Sequence, residues 1–341
     1  MKMENKLLGN RRKGRLEELA RKAIEDPVFK KEFEKIQKKI PNPGQIVLEE
    51  IFNNSWDEWV RNAYSVSAGP RECEFVVGYS ANEFSIYEYK MKDKTFLYET
   101  GRKKLSYLDS GAAFGVSCSP DGQSMACCDG KAVHIFKVKG LTKFLTKPFG
   151  ITPLSVSWSW DGKYLAVAFE DAHMKIFKIG KKLELFMDCE DVNDEIVAFG
   201  PDNYLFTAKD NEVRLYQADY KNKNLQAINE LNLVYASFIH FKANGMSASP
   251  DRKHIAVGGE IYSNTDGPQG FITFHEVDYK KGIIYGLQDI EFKGGEIGNF
   301  ISNHLPCEKQ VQDVSFSRDG NYMLVCANPH GQIMLFKIHK K

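Results

Sequence analysis

Six times between residues 64 and 338 the same order of polarity returns, and this recurrence constrains the fold more than any other property of the chain. The third copy, "SVSWSWDGKYLAVAFEDAHMKIFKI" (155–179), shows it most plainly. An apolar–polar alternation meets a Trp-Asp-Gly turn, a nearly continuous apolar run follows, and a second polar turn leads into another alternation. "GVSCSPDGQSMACCDGKAVHIFKV" (115–138) and "DVSFSRDGNYMLVCANPHGQIMLFKI" (313–338) match it almost position for position. Weaker copies are "YSVSAGPRECEFVVGYSANEFSIYEY" (64–89), "IVAFGPDNYLFTAKDNEVRLYQA" (196–218) and "GMSASPDRKHIAVGGE" (245–260), the last resuming at "GFITFHEV" (270–277). The turn residues Pro70, Asp121, Asp161, Asp202, Asp251 and Asp319 stand 51, 40, 41, 49 and 68 residues apart.

Each copy has the physics of three antiparallel strands. Period-two alternation gives one apolar face, and Gly after Asp supplies the positive φ of a tight turn. A continuous apolar run such as "YLAVAF" suits a strand buried on both faces. Segments such as "KTFLYET" (94–100) and "KLELFMD" (182–188) supply a fourth strand. Four strands in 40 to 50 residues make one blade of a β-propeller, whose two faces are buried only when blades stack around an axis. The expected fold is all-β, a propeller of four-stranded blades: six by count, with seven as the alternative. "FITFHEV" and "IIYGLQDIEF" (283–292) fill the longest interval, and "LVYASFIHF" (233–241) is either the first strand of the fifth copy or an extra one. The last copy ends at its third strand. "GQIVLEEIF" (44–52), following the breakers "PNPG", is the expected latch; a strand from a partner is the alternative.

These repeats resemble degenerate WD-repeat propellers over roughly residues 60 to 341. That family's S-x-D-x-x-I-x-L-W-D signature is echoed by "KDNEVRLYQ" (209–217) and "EDAHMKIFK" (170–178), where Asp210 and Asp171 stand six residues before Tyr216 and Phe177. The Trp-Asp pair is replaced by Phe-Lys or Tyr-Gln, the Gly-His pair is missing, and His330 occupies the Asp position of the last copy. The Asp-His-Ser-Trp relay of ideal blades is therefore not expected here. The resemblance implies a non-catalytic scaffold within a larger protein assembly.

Residues 1–41 read as a separate helical extension, and 42–341 as the propeller. Residues 1–40 carry 13 Lys/Arg against 7 Asp/Glu, leaving 33 against 38 in the remainder. Leu16, Leu19, Ala20, Ala23 and Ile24 form the stripe of an amphipathic helix. Asp26-Pro27 reads as the start of a second helix, with Phe29, Phe33, Ile36 and Ile40 on one side. Leu16, Leu19, Phe29, Phe33 and Ile36 are candidate partner contacts. The basic run "NRRKGR" makes Arg11, Arg12, Lys13 and Arg15 candidate RNA contacts.

Two segments exceed the repeat, "EIYSNTDGPQG" (260–270) and "KGGEIGNFISNHLPCEKQ" (293–310). Read as long loops projecting from one propeller face, they place Ile261, Tyr262, Phe300, Ile301 and Leu305 as further candidate partner contacts. No phosphate loop, nucleophile elbow, zinc or calcium motif occurs, so no catalytic residue, cofactor, metal or small-molecule substrate is expected. An enzyme site assembled at the axial pore is the remaining alternative. Among the eight His, His134 aligns with Lys175 and Arg214 and is expected to be exposed, while His173 falls in a turn and His304 in a loop. Alternation puts Cys127 and Cys128 on opposite faces of one strand, and Trp158 with Trp160 on one core face. Seven Cys without a CxxC pair point to a reducing, intracellular and most simply cytoplasmic setting. Net charge is +1, which excludes a polycation as a whole. No apolar run is long enough to span a membrane, and the N-terminus lacks the apolar stretch of a signal peptide.

Overall fold

The computed structural model describes residues 46–54, 62–71, 74–80, 83–92, 94–104, 112–232, 240–262, 269–287, 290–293, 300–302, 305–307, 310–328 and 331–340. The expected N-terminal helices, with Leu16, Leu19, Phe29, Phe33, Ile36 and the basic residues 11–15, lie outside the described residues.

The strands follow the polarity pattern, and each copy forms one antiparallel sheet with its first strand innermost. Strand β1 (Ile46–Asn54) precedes the first blade. Blade one is β2 (Ala63–Ala68), β3 (Glu74–Tyr79), β4 (Glu83–Lys92) and β5 (Lys94–Lys104). Blade two is β6 (Gly115–Cys118), β7 (Ser124–Cys128), β8 (Ala132–Lys137) and β9 (Thr142–Pro148). Blade three is β10 (Pro153–Trp158), β11 (Tyr164–Phe169), β12 (Met174–Ile179) and β13 (Leu183–Cys189). Blade four is β14 (Ile196–Phe199), β15 (Tyr204–Lys209), β16 (Glu212–Asp219) and β17 (Asn224–Asn232). Blade five is β18 (His240–Ala248), β19 (His254–Tyr262), β20 (Gln269–Asp278) and β21 (Ile283–Leu287). Then come β22 (Ile290–Lys293), β23 (Phe300–Ser302) and β24 (Leu305–Cys307), and blade six begins with β25 (Gln310–Phe316), β26 (Tyr322–Asn328) and β27 (Gln332–Lys340). The count is six blades, not seven.

The turn between first and second strands repeats one side-chain device. In blade two the Ser119 hydroxyl donates to Asp121 and accepts from Ser124 N–H, Asp121 accepts from Gln123 N–H, and Gly122 takes φ 69°. Ser159, Asp161 and Gly162 repeat it in blade three, and Ser317, Asp319 and Gly320 in blade six. The short polar side chains satisfy backbone donors that would otherwise face away from any ladder.

Apolar burial sits between blades. Among the described residues, six apolar clusters each join facing surfaces of neighbouring blades. The second strands contribute to two clusters at once: Val76 packs toward blade two while Val77 packs toward blade six. Cys127 and Cys128 divide in the same way, both fully buried. An apolar cluster also joins blades six and one, so the ring is closed by packing.

The outer strand of blade six is β1, antiparallel to β27 from Ile46↔Lys340 to Asn54↔Ile333. Leu48 is completely buried among Phe274, Phe316, Phe336 and Ile338. The interval after β20 corrects the sequence reading in two places. "IIYGLQDIEF" divides: β21 stays in blade five, whereas β22 crosses to lie parallel to β1 outside blade six. The segment 293–310 is not one projecting loop. Phe300 and Ile301 fall on β23, paired to β22, and Leu305 falls on β24, paired to Ile272 at the half of β20 that β21 leaves open. Ile261 and Tyr262 likewise belong to strand β19, and residues 263–268 lie outside the described set. Apolar alternation beside an unfilled sheet edge is satisfied by joining the sheet.

Candidate functional site

The inner strands β2, β6, β10, β14, β18 and β25 line an axial channel of about 560 Å³. Each presents an unpaired edge, and a ladder of hydroxyls deals with it. Ser65 and Ser67 accept from Val116 and Cys118 N–H of the next blade at 3.1 and 3.2 Å. Ser117 accepts from Trp158 N–H at 3.0 Å, Ser155 and Ser157 from Val197 and Phe199 at 3.2 and 2.8 Å. Ser247 accepts from Phe316 at 3.2 Å and Ser315 from Ala68 at 2.8 Å. One seam lacks a rung: Ala198 stands where the sister strands carry serine. There blades four and five are tied further out, by Tyr204 O–H to the Tyr279 carbonyl at 2.5 Å, Ala243 N–H to the Asp210 carbonyl at 2.7 Å and the Arg252–Asp202 ion pair.

Asp313 replaces the serine at the seam that closes the ring. Its Oδ2 accepts from the Ser65 hydroxyl and Val66 N–H, both at 2.9 Å, and its Oδ1 from Val314 N–H at 2.8 Å. Met246 N–H of blade five also bonds to it, so one carboxylate joins three blades. Gly245 makes room: a Cβ there would lie 2.1 Å from Asp313 Oδ1. Burial outweighs these donors and pushes the Asp313 carboxyl up to about 7.

Arg318, in the blade-six turn, spans the channel mouth. Its Nε donates to the Gly69 carbonyl of blade one at 2.6 Å, and its terminal nitrogens to the Ser119 and Pro120 carbonyls of blade two. Arg318→Ala is expected to cost about 2 kcal/mol, since several charge-assisted bonds go at once. Arg318→Lys should recover less than half of that, because an ammonium cannot span the three carbonyls. Urea unfolding of both variants checks this, and full recovery by Lys would contradict the spanning role.

Two sequence expectations fail near these strands. His134 is 4% exposed rather than solvent-facing. One ring nitrogen bonds Asp129 Oδ2 at 2.9 Å and the other Thr146 Oγ1 at 3.0 Å, and Asp129 also accepts from Lys131 and Ala132 N–H. A partnered imidazole can be buried where the aligned Lys175 and Arg214 cannot. Trp160 is not in the core but 37% exposed at the channel mouth, its indole N–H donating to the Phe199 carbonyl at 2.9 Å, while Trp158 is buried as expected. His173 does lie in a turn, against Asp171 at 2.9 Å. In blade four, Asp194 accepts from Thr207 at 2.6 Å and pairs with Arg214.

The serine column "SVS", "GVS", "SVS", "GMS" and "DVS" was visible in the sequence as alternation, but its role as an inter-blade ladder was not. Chemically, the channel-wall hydroxyls and Asp313 are engaged with neighbouring backbone. The channel thiol Cys118 is pushed up to about 12, chiefly by burial, so it is a thiol at neutral pH. Among the described residues, no cluster of His, Cys, Asp and Glu is placed to hold a metal ion.

A six-bladed β-propeller is the class this geometry defines. No protein-family model matches the chain, and no curated protein sequence matches it. Solved structures do. The β-propeller domain of Cps50 (Swd1) from Myceliophteria thermophila aligns with a TM-score of 0.55 at 8% identity, covering 87% of this chain and 100% of that one. Kuenenia stuttgartiensis hydrazine synthase aligns with a TM-score of 0.52 at 11% identity, covering 84% and 99%. At such identities the likeness is one of fold.

Proposed function

We propose that the chain is a non-catalytic interaction scaffold of degenerate WD-repeat type, a propeller subunit of a larger intracellular protein assembly. The observation that carries this reading is the state of the channel wall. In a propeller enzyme the inner strands would aim free polar groups at the axis, whereas here the serines and Asp313 are spent on holding blades to each other. The additional strands β22, β23 and β24 also support it, since they enlarge blades five and six beyond what ring closure requires. Docking is assigned to this enlarged sector, with Phe300, Ile301, Leu305, Ile261 and Tyr262, and to the N-terminal stripe Leu16, Leu19, Phe29, Phe33 and Ile36. Cys118, Cys127, Cys128, Cys189 and Cys326 are free thiols, which fits a reducing compartment. Among the described residues no helix is long and apolar enough to cross a membrane.

The test is affinity capture from native lysate, read by mass spectrometry. Full-length protein is compared with a truncation lacking residues 1–40 and with Phe300→Asp/Ile301→Asp. A stable protein set lost with either change is the expected result. Recovery of no stoichiometric protein from full-length bait would overturn the scaffold reading. Capture abolished by ribonuclease and by high salt would instead favour RNA contact through Arg11, Arg12, Lys13 and Arg15.

A further inference from the structure

Blade two differs from its neighbours in carrying no carboxylate on its outer strand or in the segments beside it. From Gly130 to Trp160 the chain holds five lysines, Lys131, Lys137, Lys139, Lys143 and Lys147, and no Asp or Glu. The other long outer strands each carry carboxylates: Glu99 on β5, Glu184 and Asp188 on β13, Glu230 on β17, Glu49 and Glu50 on β1. β9 carries none, and among the described residues it pairs with β8 alone, so one row of its backbone N–H and C=O groups forms a sheet edge. Phe144 on that strand is 42% exposed, with the Lys137 ammonium 5.6 Å from its ring centre. Lys137 and Lys139 are exposed beside the start of the strand.

The molecule itself shows what such an edge accepts. At blade six the fourth strand does not end the sheet: β22 adds a fifth strand, parallel to β1. That added strand, "IEFK" (Ile290–Lys293), is short and apolar and carries one acidic residue, Glu291. We propose that the β9 edge of blade two binds an extended acidic peptide segment of a protein partner as a fifth strand, its carboxylates over the exposed Lys137 and Lys139. Charge selects among occupants. Two copies of this edge would set lysines against lysines, and the first 40 residues of this chain carry a net positive charge; both are disfavoured where like charges face across a strand pair. A backbone-paired peptide draws on the free N–H and C=O row for affinity and on side chains for choice of partner. This surface is on the rim, separate from the docking sector assigned above, and its test does not depend on that assignment.

The experiment uses full-length protein and fluorescence anisotropy with a labelled ten-residue peptide alternating Glu with Val and Thr. Comparison probes are the same peptide with alternate backbone nitrogens methylated, its Lys-for-Glu counterpart, and a ten-nucleotide single-stranded RNA. Saturable binding of the acidic peptide is expected, weakened about tenfold by Lys137→Glu/Lys139→Glu and about tenfold or more by methylation, which keeps the charge and removes strand pairing. The double variant changes only exposed side chains, and an unaltered urea midpoint verifies its fold. Equal binding of the methylated peptide would overturn strand addition. Equal or tighter binding of the RNA, or no effect of the double variant, would overturn the acidic-peptide assignment. Failure here leaves the capture experiment untouched, so the two readings fail separately.

Discussion

Leu48→Ala is expected to lower the unfolding free energy by about 3 kcal/mol, the largest effect of any single truncation considered for this chain. Among the described side chains of β1, Leu48 enters the cluster of blades five and six, with no exposed surface to soften the loss. In every other blade the four main strands are consecutive in sequence, but blade six takes β1 from roughly 280 residues earlier, across Ile46↔Lys340 to Asn54↔Ile333. The pairing that closes blade six also joins the two ends of the propeller, so a cavity at Leu48 loosens ring closure as well as local packing. The cost combines lost transfer energy with the cavity left behind, since a closed ring cannot collapse freely onto it. Urea unfolding gives the magnitude, and hydrogen exchange at β27 amides locates it. A loss below about 1 kcal/mol, with β27 protection unchanged, would show that closure does not depend on this strand.

The second large effect is on pH dependence, and it comes from the same region of the wheel. Asp313 joins blades five, six and one, and its burial raises its pKa from the usual 3.8 to about 7. An acid raised in this way holds its proton more tightly folded than unfolded. Its stabilising contribution is complete below the unfolded pKa and is lost progressively as pH rises toward and through 7. A shift of this size corresponds to at most about 4 kcal/mol between pH 4 and pH 8. Wild-type stability should therefore fall over that range, whereas Asp313→Asn, uncharged throughout, should lack that component of the fall. Asp121 works in the opposite sense: the Ser119 hydroxyl above all, with Gln123 N–H, lowers its pKa, so its contribution is lost as pH falls through the acid range. Subtracting the two urea-derived curves isolates Asp313. Parallel curves across pH 4 to 8 would mean that the four donors around the carboxylate win over burial after all. Gly245, against which the carboxylate packs, offers an independent check, because any side chain there must displace Asp313.

The repeat, the blade boundaries and the turn chemistry were legible from local residues. Period-two alternation, Asp-Gly turns and unbroken apolar second strands are properties of ten or twelve consecutive positions, and short-range physics determines them. Cys127 and Cys128 could be assigned to opposite faces for the same reason. His134 could not be placed this way: its burial depends on Asp129 and Thr146 reaching it from a turn and a neighbouring strand. Nor could Phe300, Ile301 and Leu305, whose apolar character was plain but whose destination was set by edges left open at β22 and β20. The serine column is the clearest case. Its spacing is written in the sequence, yet a hydroxyl acquires an inter-blade role only when another blade's unpaired N–H is brought within about 3 Å of it. By itself the sequence determined an all-β wheel of repeated four-stranded units. Only the tertiary structure decided which polar groups face a neighbour rather than a ligand, because that depends on contacts between residues 40 to 250 positions apart.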